Sequence, residues 1–276
     1  MIRTPTRYHR PQTPEEVGAL LAEHGEAAAV IGGGSWLLPL MNRGERTYEH
    51  LVDLAGLDLE AVTARDGGFE LAATATYEDV LADEDLVASV PPLARMCAGV
   101  TGGRQLRNRA TLVGSACFQN PSSEAPAMFR ALAAVFRVHG SSGEREVEAA
   151  DFFRGAYRTA LEPGEFVLGA RFAGSRRGGY KKLKIAAGGW PVGTAIACRD
   201  DAGGVVLALG AVEAVPLLLD LDQVRRDDGT IDRGGLEDLV AASVTAPWDD
   251  VLGDAEYRRA IAAPLAWRAV EQMETA

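Results

Sequence analysis

An α+β fold is what this sequence predicts, and three observations predict it. The first 31 residues read as strand, helix and strand in quick succession. Two pairs of strand-like runs, Val135–Val138 with Arg145–Glu148 and Val192–Cys198 with Val205–Val212, flank strong turn signals and read as hairpins. Two amphipathic stretches, Leu236–Val240 and Tyr257–Met273, close the chain as helices after the last hairpin.

Taken in order, Thr13-Pro14-Glu15-Glu16 places Thr at an N-cap, Pro at N1 and Glu at N3, a capping box with a helix-compatible proline. Val17, Leu20, Leu21 and His24 recur at helical spacing until Gly25 stops the helix. Ala27–Ile31 and His50–Leu54 suit buried strands. From about Gly56 a second region begins, with a strand at Phe69–Ala73, a helix opened by Thr76 and Asp79, and another introduced by Pro91-Pro92 and running through Met96. Thr101–Pro126 is polar and lacks clean periodicity, and a long irregular stretch inside a compact domain is more often functional than idle. A helix through Met128, Phe129 and Leu132 follows, and Ser175–Gly179 is the best linker candidate.

Composition narrows the function. The chain has 276 residues, 47% hydrophobic and 24% charged, enough for one large or two modest soluble domains. Its net charge of −11, with no Lys/Arg stripe, argues against nucleic acid. No apolar run suits membrane insertion and the N-terminus lacks a signal peptide, so a cytoplasmic location is expected. Cys97, Cys117 and Cys198 are isolated and the four histidines scattered, so no metal site is expected. No nucleophile–base–orienter set is visible either, and no catalytic residue is assigned.

Two loops carry the chemistry. In Val30-Ile31-Gly32-Gly33-Gly34-Ser35-Trp36-Leu37, glycines after a strand let backbone N–H groups approach an anion such as a pyrophosphate. Neither GxGxxG nor GK[ST] is present, and on the loop alone a ligand-free glycine turn is the better reading. The second loop runs from Gln105 through Thr111-Leu112-Val113-Gly114-Ser115 to Asn120-Pro121-Ser122-Ser123-Glu124. It offers close backbone approach, hydroxyls and a carboxylate suited to a ribose. Alternatively, Ser122 or Ser123 caps the following helix with Glu124 as its first-turn acid. Arg107 and Arg109 suit phosphates or structural salt bridges.

Together, in this order, the loops resemble the AGGxSLLP and QVRNRGTIGGS…DPxxD motifs of the FAD-binding medium subunit of molybdenum hydroxylases, the family of aerobic carbon monoxide dehydrogenase and the xanthine dehydrogenase flavin domain. Tyr8 with Pro14-Glu15-Glu16, Asp151-Phe152-Phe153 with Thr159–Glu165, and Tyr180–Lys184 with Trp190-Pro191 extend the likeness to nearly the whole chain. It implies a two-part FAD-binding domain of the vanillyl-alcohol-oxidase (PCMH) type over 1–174, divided near residue 55. A small antiparallel sheet plus helices, the CO-dehydrogenase-flavoprotein-like domain, would span 179–276. It implies that Ile31 to Leu37 wrap the FAD diphosphate, that Thr111 to Ser115 form a second wall, and that Glu124 meets a ribose. Thr101, Val167 and Lys184 would lie near the cofactor. A molybdopterin-containing large subunit and a 2Fe-2S small subunit would be partners in a heterotrimeric unit, and electrons would leave to NAD, a quinone, oxygen or another acceptor. Two further readings stay open: a stand-alone FAD-dependent oxidoreductase, and a degenerate assembly subunit.

Four positions depart from the family pattern. Trp36 puts an indole beside the diphosphate loop, where it is expected to pack outward. Val113 stands at a common glycine, so the turn there is expected to differ. Glu124 replaces Asp, and Ala186-Ala187-Gly188-Gly189 replaces a stretch that usually bears Arg, Ser and Asp.

Overall fold

The structure, a computed structural model, describes residues 2, 4–65, 67–174 and 176–275. The chain opens with β1 (Arg7–His9), α1 (Pro14–His24), β2 (Ala28–Ile31), α2 (Leu37–Arg43) and β3 (His50–Asp53). These strands form a parallel sheet in the order β1-β3-β2. Thr13 caps α1 as expected, its Oγ1 accepting from Glu16 N at 3.2 Å, while the Glu16 carboxylate reaches back to Gln12 N at 2.6 Å. Gly25, at φ +50, ends the helix. Helix α2 is a gain over the sequence reading. Pro39 stands third in it, inside the first turn, where a missing N–H costs nothing.

The second region contains β4 (Val62–Arg65), β5 (Gly68–Ala72), α3 (Tyr77–Ala82), α4 (Glu84–Ser89), α5 (Pro91–Ala98), α6 (Gly103–Arg107), α7 (Leu112–Phe118) and α8 (Glu124–Ala131). After these come β6 (Val135–Gly140), β7 (Gly143–Glu148), α9 (Ala149–Phe152), β8 (Phe153–Gly155), β9 (Arg158–Thr159) and β10 (Phe166–Ala173). The main sheet is antiparallel, in the order β4-β5-β10-β6-β7. Its core includes Leu71, Phe129, Phe136 and Phe152, with the last two rings stacked 4.0 Å apart; burying each such side chain contributes about 1.5–3 kcal/mol. Thr76 and Asp79 close the expected capping box on α3. The Thr101–Pro126 stretch, read as irregular, instead holds α6, α7 and the start of α8. Five- and seven-residue helices are too short to show a period.

The third region is β11 (Arg177–Lys184), β12 (Pro191–Arg199), β13 (Val205–Gly210), β14 (Leu217–Asp220), α10 (Arg233–Ser243) and α11 (Ala255–Glu274). Its strands form an antiparallel meander with both helices packed on it, the sheet-plus-helices unit expected. The proposed linker is corrected: Arg177, Gly178 and Gly179 open β11, and Ser175 lies outside the described residues. A Cβ on Gly179 would sit 1.9 Å from the carbonyl oxygen of Ala269, so this glycine lets α11 lie on the strand and is no flexible hinge. Among the described residues no helix is long and apolar enough to cross a membrane.

Candidate functional site

Two loops meet to form the site. The glycine loop leaves the end of β2 and runs into α2; the second loop reaches Thr111 and turns into α7. Thr111 is pinned by an isolated bridge to Thr76, with Tyr77 N donating to Ala110 O at 3.2 Å and Leu112 N to Ala75 O at 3.0 Å. Gly33 makes the approach of the loops possible: a Cβ there would lie 1.7 Å from the carbonyl oxygen of Arg109. Gly34 takes φ +66, which favours glycine. Among the described residues no group accepts from the backbone N–H of Gly34 or Ser35, so both donors are free.

A cavity of about 800 Å³ opens between these loops. Ile31, Gly32, Gly33, Gly34, Ser35, Trp36 and Leu37 line it, as do Thr111, Val113, Gly114, Ser115, Glu124 and Val167. A bulge between Val167 and Gly169 shifts the register of β10 against β6, next to the Val167 that faces the cavity. Three expected residues do not line it. The Leu112 side chain is fully buried in the core. Lys184 Nζ donates to Thr101 Oγ1 at 3.1 Å and to Ala187 O at 2.5 Å, and Thr101 Oγ1 donates to Gly189 O at 3.1 Å. Their polar ends are thus spent on the loop that carries Trp190 to the cavity wall.

The structure places the Trp36 and Val113 departures. Trp36 does not turn outward. Its ring lies 4.7 Å from Phe118 and edge-on to Trp190 at 5.7 Å, lining the cavity, and its buried Nε1 has no acceptor among the described residues. Val113 sits in the first turn of α7 without positive φ, so a Cβ is tolerated there. Neither Ser122 nor Ser123 caps α8 through its side chain; Asn120 shapes the entry instead, its Oδ1 accepting from Ser122 N at 2.9 Å. Arg107 takes the structural role, donating to Glu78 at 2.8 Å.

Glu124 opens α8 at the cavity edge, almost wholly buried. It accepts from the Tyr180 hydroxyl and from Lys182 Nζ, at 3.0 Å on Oε1 and 3.2 Å on Oε2. Burial pushes its carboxyl above the usual range, against the pull of Lys182. Tyr180 and Lys182 were unassigned from sequence because they lie 56 and 58 residues from Glu124. The Phe118, Tyr157 and Trp190 walls were missed for the same reason: no local period marks them. Among the described residues lining the cavity there is no histidine. Glu45, Glu124 and Glu165 are paired with Arg43, Lys182 and Arg145. Burial raises the thiols of Cys117, which lines the cavity, and Cys198 to about 12, and that of Cys97 further, so none is a ready nucleophile.

Comparison with known proteins decides the family. Residues 4–172 match the FAD binding domain in molybdopterin dehydrogenase. The chain belongs to this family. It is 33% identical to the carbon monoxide dehydrogenase medium chain of Afipia carboxidovorans, over 96% of this chain and 95% of that one. It is 30% identical to the medium chain from Hydrogenophaga pseudoflava, over 98% and 97%. The fold superposes with a TM-score of 0.90, at 27% identity and covering 100% of this chain and 99% of the other, on a chain of Hydrogenophaga pseudoflava carbon monoxide dehydrogenase, solved in a form lacking the Mo-pyranopterin moiety. As a member, the chain is a flavoprotein oxidoreductase component whose cofactor is FAD. Its residues fit that group: the cavity lies in the range of cofactor sites, roughly 300–1,000 Å³, and among the described residues the Gly34 and Ser35 donors and the Trp36 N–H have no partner.

Proposed function

We propose that this chain is the electron-transferring subunit of a multi-subunit molybdenum hydroxylase. Electrons released at a molybdopterin-containing large subunit pass through a 2Fe-2S small subunit to this one, which hands them to an external acceptor. Bound FAD supplies the redox chemistry, which no side chain here can. The backbone N–H groups of the Ile31–Leu37 loop hold the diphosphate, and Thr111 to Ser115 form the opposing wall, Leu112 through its backbone. Glu124 retains one lone pair, on Oε2, for a ribose hydroxyl. Val167 and Trp36 pack against the cofactor and exclude water, while Thr101 and Lys184 hold Trp190 in place.

The observation that carries this reading is the state of the cavity carboxylates. A flavoenzyme acting on its own organic substrate needs an acid or base free to move a proton; here all three glutamates are committed to cations. The relatives named above are themselves medium chains of larger enzymes. The test is to produce the chain alone and together with candidate large and small subunits. The isolated chain should be yellow and inert toward organic substrates, should co-purify with both partners, and should lose flavin absorbance on mixing with a pre-reduced 2Fe-2S subunit. Substrate turnover by the isolated chain would establish a stand-alone oxidoreductase instead, and a colourless chain that takes up no FAD would establish an assembly role.

A further inference from the structure

Three of the chain's four histidines converge, although 15 and 26 residues of sequence separate one from the next. His9 ends β1, His50 begins β3, and His24 ends α1. The parallel ladder pairs Arg7 with His50, so His9, two residues further on, projects from the same face as His50. Helix α1 packs against β3 and its last turn delivers His24 to the other two. The His24 and His50 rings stack with centroids 3.6 Å apart, and His9 stacks on His50 at 5.1 Å. One nitrogen from each ring lies within 4.8 Å of the other two, and all three residues are half-buried.

Helix propensity and strand pairing alone do not call for three imidazoles at one point. His9 Nε2 lies 2.9 Å from His50 Nδ1, a separation that requires one nitrogen to carry a proton and the other a lone pair. At least one ring is therefore neutral, which is the ligating form. Three nitrogens on a tetrahedral zinc ion, each about 2.0–2.1 Å from the metal, stand about 3.3 Å apart. The His9–His50 pair, at 2.9 Å, already stands close to that spacing, and the third ring's nitrogen lies within 4.8 Å of both. Glu23 Oε1 lies 3.9 Å from His24 Nε2, a carboxylate close by on the outer side.

We propose that His9, His24 and His50 form a binding site for a divalent transition-metal ion of the zinc class, distinct from the cofactor cavity. The proton shared between His9 and His50 moves to the other nitrogen of its ring when the ion enters, so both facing nitrogens become ligands. The fourth position is open to water. Because the ligands come from α1, β1 and β3, the ion clasps the sheet whose strand β2 leads into the glycine loop.

The experiment uses the FAD-loaded full chain, purified with a histidine-free tag, stripped with a chelator and titrated with zinc alone. Equilibrium dialysis should give one ion per chain, with a higher unfolding temperature. Histidine ring signals in NMR should shift for His9, His24 and His50 while His139 stays fixed. His9→Gln, His24→Gln and His50→Gln should each weaken binding at least about tenfold, the loss that even an outer-shell change brings. No uptake at modest molar excess overturns the proposal. So does uptake that leaves the three rings unmoved, a result read on the wild-type chain and independent of whether any variant folds.

Discussion

Gly33→Ala tests the joint on which the cofactor cavity depends. The new Cβ would lie 1.7 Å from Arg109 O, 2.7 Å from Arg109 C and 3.1 Å from Ala110 Cα, all backbone atoms that cannot rotate aside. The φ angle at Gly33 is not positive, so the whole penalty is contact. The loops must part by more than about 1 Å, well beyond the tolerance of a hydrogen bond, and overpacking of this kind costs about 1–3 kcal/mol or more. A fall in unfolding temperature on the order of 5–10 °C follows for a chain of this size. Losing two hydrogen bonds to a charged diphosphate, about 1.5–3 kcal/mol each, weakens FAD binding by at least about 100-fold. Calorimetric melting and flavin fluorescence titration measure the two effects. Gly188→Ala is the control, because nothing lies within 4 Å of its Cβ and its φ is not positive. A Gly33→Ala chain that melts and binds FAD like Gly188→Ala would refute the geometry.

Lys182→Met strands the buried Glu124 carboxylate and should cost about 3–5 kcal/mol in urea denaturation, with much of the loss restored by adding Glu124→Gln; a single-variant cost near zero would show that Tyr180 alone satisfies the carboxylate. Trp36→Phe removes an N–H that has no acceptor among the described residues, so the FAD-free protein should be no less stable while FAD affinity falls about 2–10-fold; unchanged affinity in a fluorescence titration would show that the indole N–H does not serve the cofactor. Arg145→Gln bears on pH: the Arg145 guanidinium, hydrogen-bonded to Glu165, holds its carboxyl below the usual range. The stabilisation, about 0.5–1 kcal/mol for so exposed an arginine, is present at neutral pH and is lost as pH falls below the ordinary glutamate value of about 4.3 and through the lower folded one. Melting curves of the two proteins should therefore converge in acid, and a gap that persists would assign the effect to packing.

Local chemistry was legible and distant chemistry was not. The caps at Thr13 and Thr76 and the 135–148 hairpin need only residues a few positions apart, and each was readable. The two loops that line the cavity stood out because glycine, serine and threonine gather in them, and the resemblance to the family's motifs joined them. What escaped depends on partners tens of residues away. Gly178-Gly179 looks like a linker until Ala269 is seen pressing on the strand. Thr101 and Lys184 stand 83 residues apart, and their bonds to each other and to the 185–190 loop show only in the fold. Three histidines look scattered until β1, α1 and β3 are folded together.

The same long-range contacts change what the third region is for. A separate appendage would leave the cavity complete without it, yet Tyr180 and Lys182 on β11 satisfy Glu124, and Trp190, just before β12, forms part of the wall. Two residues beyond Trp190, Val192 O accepts from Arg258 Nη1 at 2.9 Å, and the fully buried Arg258 also bonds Ala211 O, Asp250 at 2.5 Å and Gly253 O at 3.2 Å. A buried guanidinium held by four partners cannot shift without stranding its charge. It therefore fixes the start of β12, and through it the Trp190 ring against Trp36. The cavity's aromatic wall is thus set by the core of the third region, so the shape of the cofactor site and the folding of the last hundred residues are one physical problem.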